Sequence, residues 1–351
     1  MERATFRIID ANFNRAREAA RVMEEFCRFA LNSVELSSRA KRLRHELCRG
    51  IQRLDSDKLI ISRDIQADVG RQLQVDNQLA RGDLKDSFIA ASKRLSEALR
   101  VLAEMVEPID PGAGEIFERL RFESYGIEKD TFVYQSVSER LGAVRLYVLI
   151  NATENSPSQE ILGLAQDCTE GGADCIQLRT KGISDRKSYE LACDLVKLCK
   201  NAGVISVIND RADIASLAGA DGVHFGQGDL PIEQARRIQL RPMIFGLSTH
   251  SVRQLKIAVR KNTDYVALGP VFPTETKPDT QTAGIGYITE ALDILKDTEI
   301  RHVAIGGITL ENADEVLKAG ARTLAVCSAL SRSDKPKTLC RKLKDKLNSF
   351  V

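Results

Sequence analysis

In the opening stretch IIDANFNRAREAARVMEEFCRFAL apolar residues recur three and four apart, and Arg and Glu fill the other face, a period that predicts an amphipathic helix. The same spacing returns around 35–54, 86–106 and 114–124, and Pro108 and Pro111–Gly112 punctuate the last two. The polar stretch 63–83 has no clear period and is expected to be a loop. From about 144 the pattern changes to short apolar runs: VRLYVLI (144–150), DCIQL (174–178), VISVI (204–208), DGVHF (221–225), MIFGL (243–247), YVALG (265–269), HVAIG (302–306) and TLAVC (323–327). Each is followed by a helical stretch or by a loop that leads into one. Such alternation implies a parallel sheet, and eight units in roughly 205 residues match a closed (β/α)8 barrel. An open doubly wound sheet would normally carry a Gly-rich nucleotide fingerprint after its first strand, where this chain reads NATENSPS. The expected organisation is a smaller, mainly α-helical domain over 1–130, followed by an α/β TIM barrel over 131–351.

Bulk properties narrow the function classes. The 351 residues are 43% hydrophobic and 28% charged with a net charge of +2, and within 1–130 the charges cancel. That weak field argues against nucleic acid or an anionic membrane as the main partner. No apolar run is long enough to span a bilayer, and the charged start has no signal-peptide stretch. Eight cysteines without a CxxC pair suggest reduced, mostly buried thiols and a cytoplasmic protein. The chain is compatible with a homo-oligomer, whose order the sequence does not set.

In a barrel of this kind the loops that leave the C-terminal strand ends build the active site. Gln177, Arg179 and Lys181 are spaced by two, so an extended strand end points them to one side. Two cations and an amide suit an anion with several oxygens, although a solvated strand end with surface ion pairs has the same spacing. Asn209 and Asp210 follow strand 3, and Asp229 follows strand 4. Two carboxylates without a His or Cys cluster fit a hard cation such as Mg2+. Asp229-Leu230-Pro231 also reads as a helix N-cap before a proline, and Asp229 can serve both purposes. Strand 5 ends in Ser248-Thr249-His250. The loop PTETK after strand 6 carries Thr274, Thr276 and Lys277, and the following KPDTQTAG is expected to close over substrate. Gly306-Gly307 after strand 7 and Cys327-Ser328 after strand 8 stand where this fold most often holds phosphate. Two anionic sites at one mouth suit an enzyme that releases pyrophosphate while it holds a second, monophosphorylated reactant. His224 is read as shaping the mouth, and His45 and His302 as structural.

In order and at fitting spacings over about 144–335, QLRTK, IND, GVHFGQGDLP, GLSTH, LGPVFPTETK, AIGGIT and the CSAL ending resemble the motif series of thiamine-phosphate synthase. The resemblance implies a transferase of thiamine biosynthesis. It would join 4-amino-2-methyl-5-hydroxymethylpyrimidine diphosphate to 4-methyl-5-(2-phosphoethyl)thiazole, giving thiamine monophosphate and pyrophosphate through a pyrimidine cation. Gln177, Arg179, Lys181 and Asn209 would then lie along the pyrimidine diphosphate, and Asp210 and Asp229 would ligate Mg2+. Ser248 would stand near the reacting group and Lys277 would grip the pyrophosphate, so that Arg179, Ser248 and Lys277 form the catalytic set. Thr274, Thr276 and the backbone at Gly307, Cys327 and Ser328 would hold the thiazole phosphate. Cys327 departs from the family's usual aliphatic or small residue, which a backbone contact tolerates. Two competing readings of the barrel are a thiazole tautomerase-like enzyme, with His250 as proton carrier, and a phosphate-binding module without turnover. The opening RIIDANFNRAREAARVMEEFCRF resembles an extra domain fused ahead of some bacterial synthases. Stand-alone relatives of that domain are associated with phosphorylating hydroxymethylpyrimidine phosphate. Asn12, Asn14, Arg15, Glu18, Arg21, Arg63, Asp64 and Asp68 are its candidate polar residues, and a helical assembly domain with a salt-bridged surface is the alternative.

Overall fold

The helical period of the first residues is borne out by α1 (Glu2–Glu25), whose buried Phe6, Ile9, Ala16, Ala20 and Met23 fall on one face. The chain continues through one π-helical turn (Phe26–Ala30) into α2 (Val34–Ile51), α3 (Ser56–Ile61), α4 (Leu84–Val106) and α5 (Pro111–Ala143). Side chains cap three of these starts: Ser33 accepts from Leu36 N–H, Asp55 from Asp57 and Lys58 N–H, and Asp83 from Asp86 N–H. α1 packs mainly on α4 and α2. This computed structural model describes residues 1–66, 68–69, 81–274 and 281–350, so most of the loop expected at 63–83 lies outside the described residues.

Two expectations change. The short helix α3 sits in a stretch left unassigned from the sequence, and its signal was the capping Asp55. The helix expected at 114–124 runs on to Ala143, because Ile127, Thr131, Tyr134, Val137 and Leu141 extend the buried period. The chain falls into two compact units, Met1–Gln135 and Ser136–Val351, and the division lies within α5.

The second unit holds eight parallel strands that close in sequence order, with β8 paired back on β1. They are β1 (Leu146–Asn151), β2 (Cys175–Arg179), β3 (Ile205–Asn209), β4 (Gly222–Phe225), β5 (Ile244–Thr249), β6 (Tyr265–Leu268), β7 (Arg301–Ile305) and β8 (Leu324–Val326). The intervening helices are α6 (Ser158–Glu170), α7 (Asp185–Ala202), α8 (Ala212–Ala218), the single turn α9 (Ile232–Ala235), α10 (Val252–Arg260), α11 (Gly284–Leu295) and α12 (Ala313–Lys318). After β8 come the short α13 (Ser328–Ser331) and α14 (Pro336–Ser349). The period of two sorts the strands. Val148, Ile150, Ile176, Leu178, Ile208, Val223 and Phe225 join the apolar layer beneath the helices. The alternate residues Leu149, Gln177, Asn209, His224 and Ser248 line a cavity inside the barrel mouth.

The opposite end of the barrel carries a repeated device. Asp174, Asp221 and Asp264 stand just before β2, β4 and β6, and their carboxylates accept the N–H of Leu146, Ser206 and Phe245 at the starts of β1, β3 and β5 (2.9, 3.0 and 2.7 Å). Each supplies an acceptor to a backbone donor at the strand base.

His302, at the base of β7, accepts the Arg322 N–H through Nε2 (3.0 Å). Burial first, and then the cations of Arg145, Arg322 and Arg301, push its pKa down to about 4. The folded state thus resists a proton that the unfolded chain takes up below its ordinary value of 6.5. This contribution is complete above that value and is lost as pH falls toward 4. Urea unfolding at both pH values should show the wild type losing roughly 1–3 kcal/mol relative to His302→Gln on acidification. An unchanged difference would refute the assignment.

Candidate active site

A cavity of about 370 Å3 opens at the C-terminal ends of the strands. Gln177 and Arg179 from β2, Asn209 from β3, Ser248 from β5 and Thr274 after β6 reach it, as do Gly307 after β7 and Cys327 and Ser328 after β8. Gln177 is buried at 2% exposure, and Arg179 is half-buried, with Nη1 donating to Asn151 Oδ1 (3.4 Å). Lys181 is more exposed and places Nζ 3.6 Å from Asp210 Oδ2. Thr276 and Lys277 lie outside the described residues, as does the KPDT part of the loop expected to close.

Asp210 and Asp229 come together from the ends of β3 and β4. Asp210 adopts a left-handed backbone conformation (φ 63°), and its N–H donates to His224 O (2.8 Å). Such a conformation costs a non-glycine residue about 1–3 kcal/mol and is often kept where a side chain must be aimed. Its carboxyl is pushed up to about 6, by burial first and then by the hydrogen bond and charge of Asp229, while Lys181 and Arg179 pull the other way. Two acids that share a hydrogen bond offer the oxygen donors a hard cation takes in place of their proton. Among the described residues no group of three or more His, Cys, Asp or Glu forms a fuller ligand cage. The donor set therefore fits Mg2+ with substrate oxygens and water completing its coordination. The N-cap alternative for Asp229 is corrected. α9 begins after Pro231 with no side-chain cap, and Asp229 Oδ2 instead accepts the Gly226 N–H (2.6 Å).

Gly306 and Gly307, which line the cavity, have φ of 104° and 65°. A Cβ on either would lie 2.5 Å from Pro270 Cα or 2.6 Å from Pro273 O, so the close approach of two loops requires glycine at both. Asn312 ties this turn by donating to Gly307 O and accepting from Thr309 N–H (2.8 Å each).

Several residues that line the cavity or contact its lining were not sequence candidates. Asn151, at the end of β1, contacts Cys327 Sγ (3.2 Å) as well as Arg179; its signal was a polar residue at a strand end. Arg332 lines the cavity one helical turn beyond Ser328. Tyr147 and Tyr265, read only as strand formers, form a buried polar floor. Tyr147 OH lies 3.0 Å from both Gln177 Oε1 and Tyr265 OH, and His224 bridges Tyr265 OH (3.1 Å) to Ser248 Oγ (2.9 Å). His224 thus shapes the mouth, and His250 is tied through Nδ1 to Gly269 O (2.5 Å).

In the first unit Asp10, absent from the candidate set, is the centre. It takes a two-pronged contact from Arg63 (2.7 and 2.8 Å) and a longer one from Asn14 (3.4 Å). Arg3 lies 3.6 Å from Asp64, Arg21 faces Glu24 and Glu25, and Asn12 bonds within its own helix. Arg15, Glu18 and Asp68 are exposed.

Residues 146–330 match the family described as thiamine monophosphate synthase, and residues 7–130 match the ThiD2 family. The thiamine-phosphate synthase of Rhodopirellula baltica is 36% identical, with 95% of this chain and 90% of that protein aligned. That of Nostoc punctiforme is 34% identical over 99% of this chain and 95% of its own length, and that of Synechocystis sp. is 37% identical over 95% and 93%. Among solved structures, the thiamine phosphate pyrophosphorylase of Pyrococcus furiosus superposes with a TM-score of 0.53 at 31% identity, over 60% of this chain and 98% of that one.

The polar floor depends on a missing side chain. A Cβ on Gly246 would lie 2.1 Å from Tyr265 Cζ and 2.5 Å from His224 Nδ1. Gly246→Ala should therefore destabilise the fold by roughly 1–3 kcal/mol. Gly163→Ala, in α6 with nothing within 4 Å of the new methyl, should be neutral or stabilising by up to about 1 kcal/mol. Equal unfolding midpoints for the two variants would contradict this packing.

Proposed function

The chain belongs to the thiamine monophosphate synthase family, a family of transferases in thiamine biosynthesis, and we propose that its barrel joins 4-amino-2-methyl-5-hydroxymethylpyrimidine diphosphate to 4-methyl-5-(2-phosphoethyl)thiazole, giving thiamine monophosphate and pyrophosphate. The observation that carries this reading is one cavity lined both by Gln177, Arg179, Asn209 and Ser248 and by the Gly307 turn with Cys327 and Ser328, with the paired carboxyls of Asp210 and Asp229 under the charges of Lys181 and Arg179.

In this reading Gln177, Arg179, Lys181 and Asn209 bind the pyrimidine diphosphate. Thr274, Thr276, Gly307, Cys327 and Ser328 bind the thiazole phosphate. The methylene C–O bond breaks first, its electron pair leaves with pyrophosphate, and the electron-rich aminopyrimidine stabilises the resulting cation. The thiazole nitrogen then donates its pair to form the new C–N bond. No residue forms a covalent intermediate. The side chains hold the two partners in line, and Arg179 and Lys277 neutralise the leaving charge while Ser248 orients the pyrimidine. When bound, Mg2+ held by Asp210 and Asp229 supplies further neutralisation of the diphosphate. The eight cysteines form no disulfide among the described residues, which supports a reducing, cytoplasmic setting.

Asp210→Ala should lower turnover by about a hundredfold or more, with the thermal unfolding midpoint retained, when pyrophosphate release is followed with both substrates and Mg2+. Turnover near that of the wild type would remove Asp210 from the metal role. Tight binding of both substrates by the wild type without pyrophosphate release would replace the synthase by the tautomerase or binding-module readings.

The match of residues 7–130 to the ThiD2 family favours a second activity in the same chain, phosphorylation of hydroxymethylpyrimidine phosphate to the diphosphate the barrel consumes. Formation of ADP and the diphosphate by the full-length protein, and its reduction at least tenfold in Asp10→Ala, is the expected result. A protein that makes no ADP would leave the first unit as an assembly domain.

A further inference from the structure

The protons along the floor of the cavity can be counted. Gln177 donates an amide N–H to Asn209 Oδ1 (2.7 Å), which turns Gln177 Oε1 toward Tyr147, and Tyr147 gives its single hydroxyl proton to it (3.0 Å). At the 3.0 Å contact between the two phenols the proton must then come from Tyr265. Tyr265 has no second proton, so at its 3.1 Å contact with His224 Nδ1 the imidazole is the donor. A neutral imidazole protonated at Nδ1 has a lone pair at Nε2, and the Ser248 hydroxyl 2.9 Å away donates to it. Burial keeps this count intact, because it is the largest cause holding both phenols in the protonated form.

We propose that this chain sets the hydrogen-bonding sense of the cavity: Ser248 meets the ligand as an acceptor, Asn209 meets it as an amide donor, and Tyr147 and Tyr265 are positioning residues that select an amino-bearing over an oxo-bearing pyrimidine. Asn209 and Ser248 both line the cavity, at the two ends of the chain. The Ser248 hydroxyl proton is committed to His224, so its oxygen faces the site with lone pairs. An exocyclic amino group donates to that oxygen, whereas an oxo group in its place sets two acceptors against each other. The inference rests on the aminopyrimidine diphosphate being the substrate, but the sense of the chain exists without it.

The test uses full-length protein with 15N-labelled histidine, the His224 ring signals being identified by their loss in His224→Gln. In the wild type His224 is expected to carry its proton on Nδ1. In Tyr265→Phe, which keeps the ring and removes the hydroxyl, a substantial fraction should shift to Nε2. Tyr287→Phe removes a buried hydroxyl that bonds Thr249, outside the chain, and should leave His224 unchanged. In parallel, kcat/KM for pyrophosphate release is measured with the 4-amino substrate and its 4-oxo analogue. The preference for the amino compound should fall about tenfold in Tyr265→Phe and stay as in the wild type in Tyr287→Phe.

A wild-type proton on Nε2, or a tautomer untouched by Tyr265→Phe, overturns the proposal whatever the turnover. The expected tautomers with an unchanged preference overturn the selective role of the tyrosines. The expected tautomers with no pyrophosphate from either compound leave the sense of the chain standing and overturn the substrate reading instead.

Discussion

Closure of eight parallel strands on themselves is the constraint from which the rest of the second unit follows. In such a sheet successive side chains point alternately outward to the helices and inward to the barrel axis. The outward set is almost purely apolar, since it must pack against helices on every side. The inward set carries Tyr147, Gln177, His224 and Tyr265, which are buried and polar. Hydrophobic burial outside thus holds a polar floor inside, and the floor in turn supports the side chains at the mouth.

Buried polar groups are favourable only when each finds a partner, and here each does so through its neighbour. The chain from Asn209 to Ser248 is continuous because the strand register places Gly246 beside Tyr265 and Asn209 beside His224. Gly246 leaves the space that the phenol ring and the imidazole fill. A larger residue would break the contact between His224 and Tyr265, and with it the orientation of Ser248. The carboxyl pair near the mouth is strained in its backbone. Asp210 is held in a left-handed conformation with its carboxyl against that of Asp229, which with burial keeps a proton on it more readily than on an isolated carboxylate.

The two ends of the barrel divide stability from chemistry. Asp174, Asp221 and Asp264 tie strand starts at the base, and His302 stays neutral there among arginines. The residues that line the cavity stand at the opposite end. The first unit follows simpler rules. Helices α1, α2 and α4 bury one apolar face each, and paired charges such as Arg63 with Asp10 and Arg44 with Glu24 lie at the rims.

The linear order of residues was sufficient for the eight strands, for the helices of the first unit and for the identity of the mouth, because periods of two and of 3.6 and the position of a residue at a strand end are local properties. Gln177, Arg179, Asn209, Asp210, Asp229, Ser248 and Gly307 are all legible in that way. The full length of α5 was legible in principle, since Ile127, Tyr134 and Leu141 continue its period, but the polar Thr131 concealed it. Only the tertiary structure decided that Asp229 turns to Gly226 and Asp210 and does not cap a helix, that Arg332 reaches the cavity, and that Asn151 joins Arg179 to Cys327. It alone decided that Tyr147 and Tyr265, 118 positions apart, are hydrogen-bonded to each other and that Tyr265 meets His224. Hydrogen bonds of that kind depend on which strands become neighbours and in what register, and barrel closure sets both.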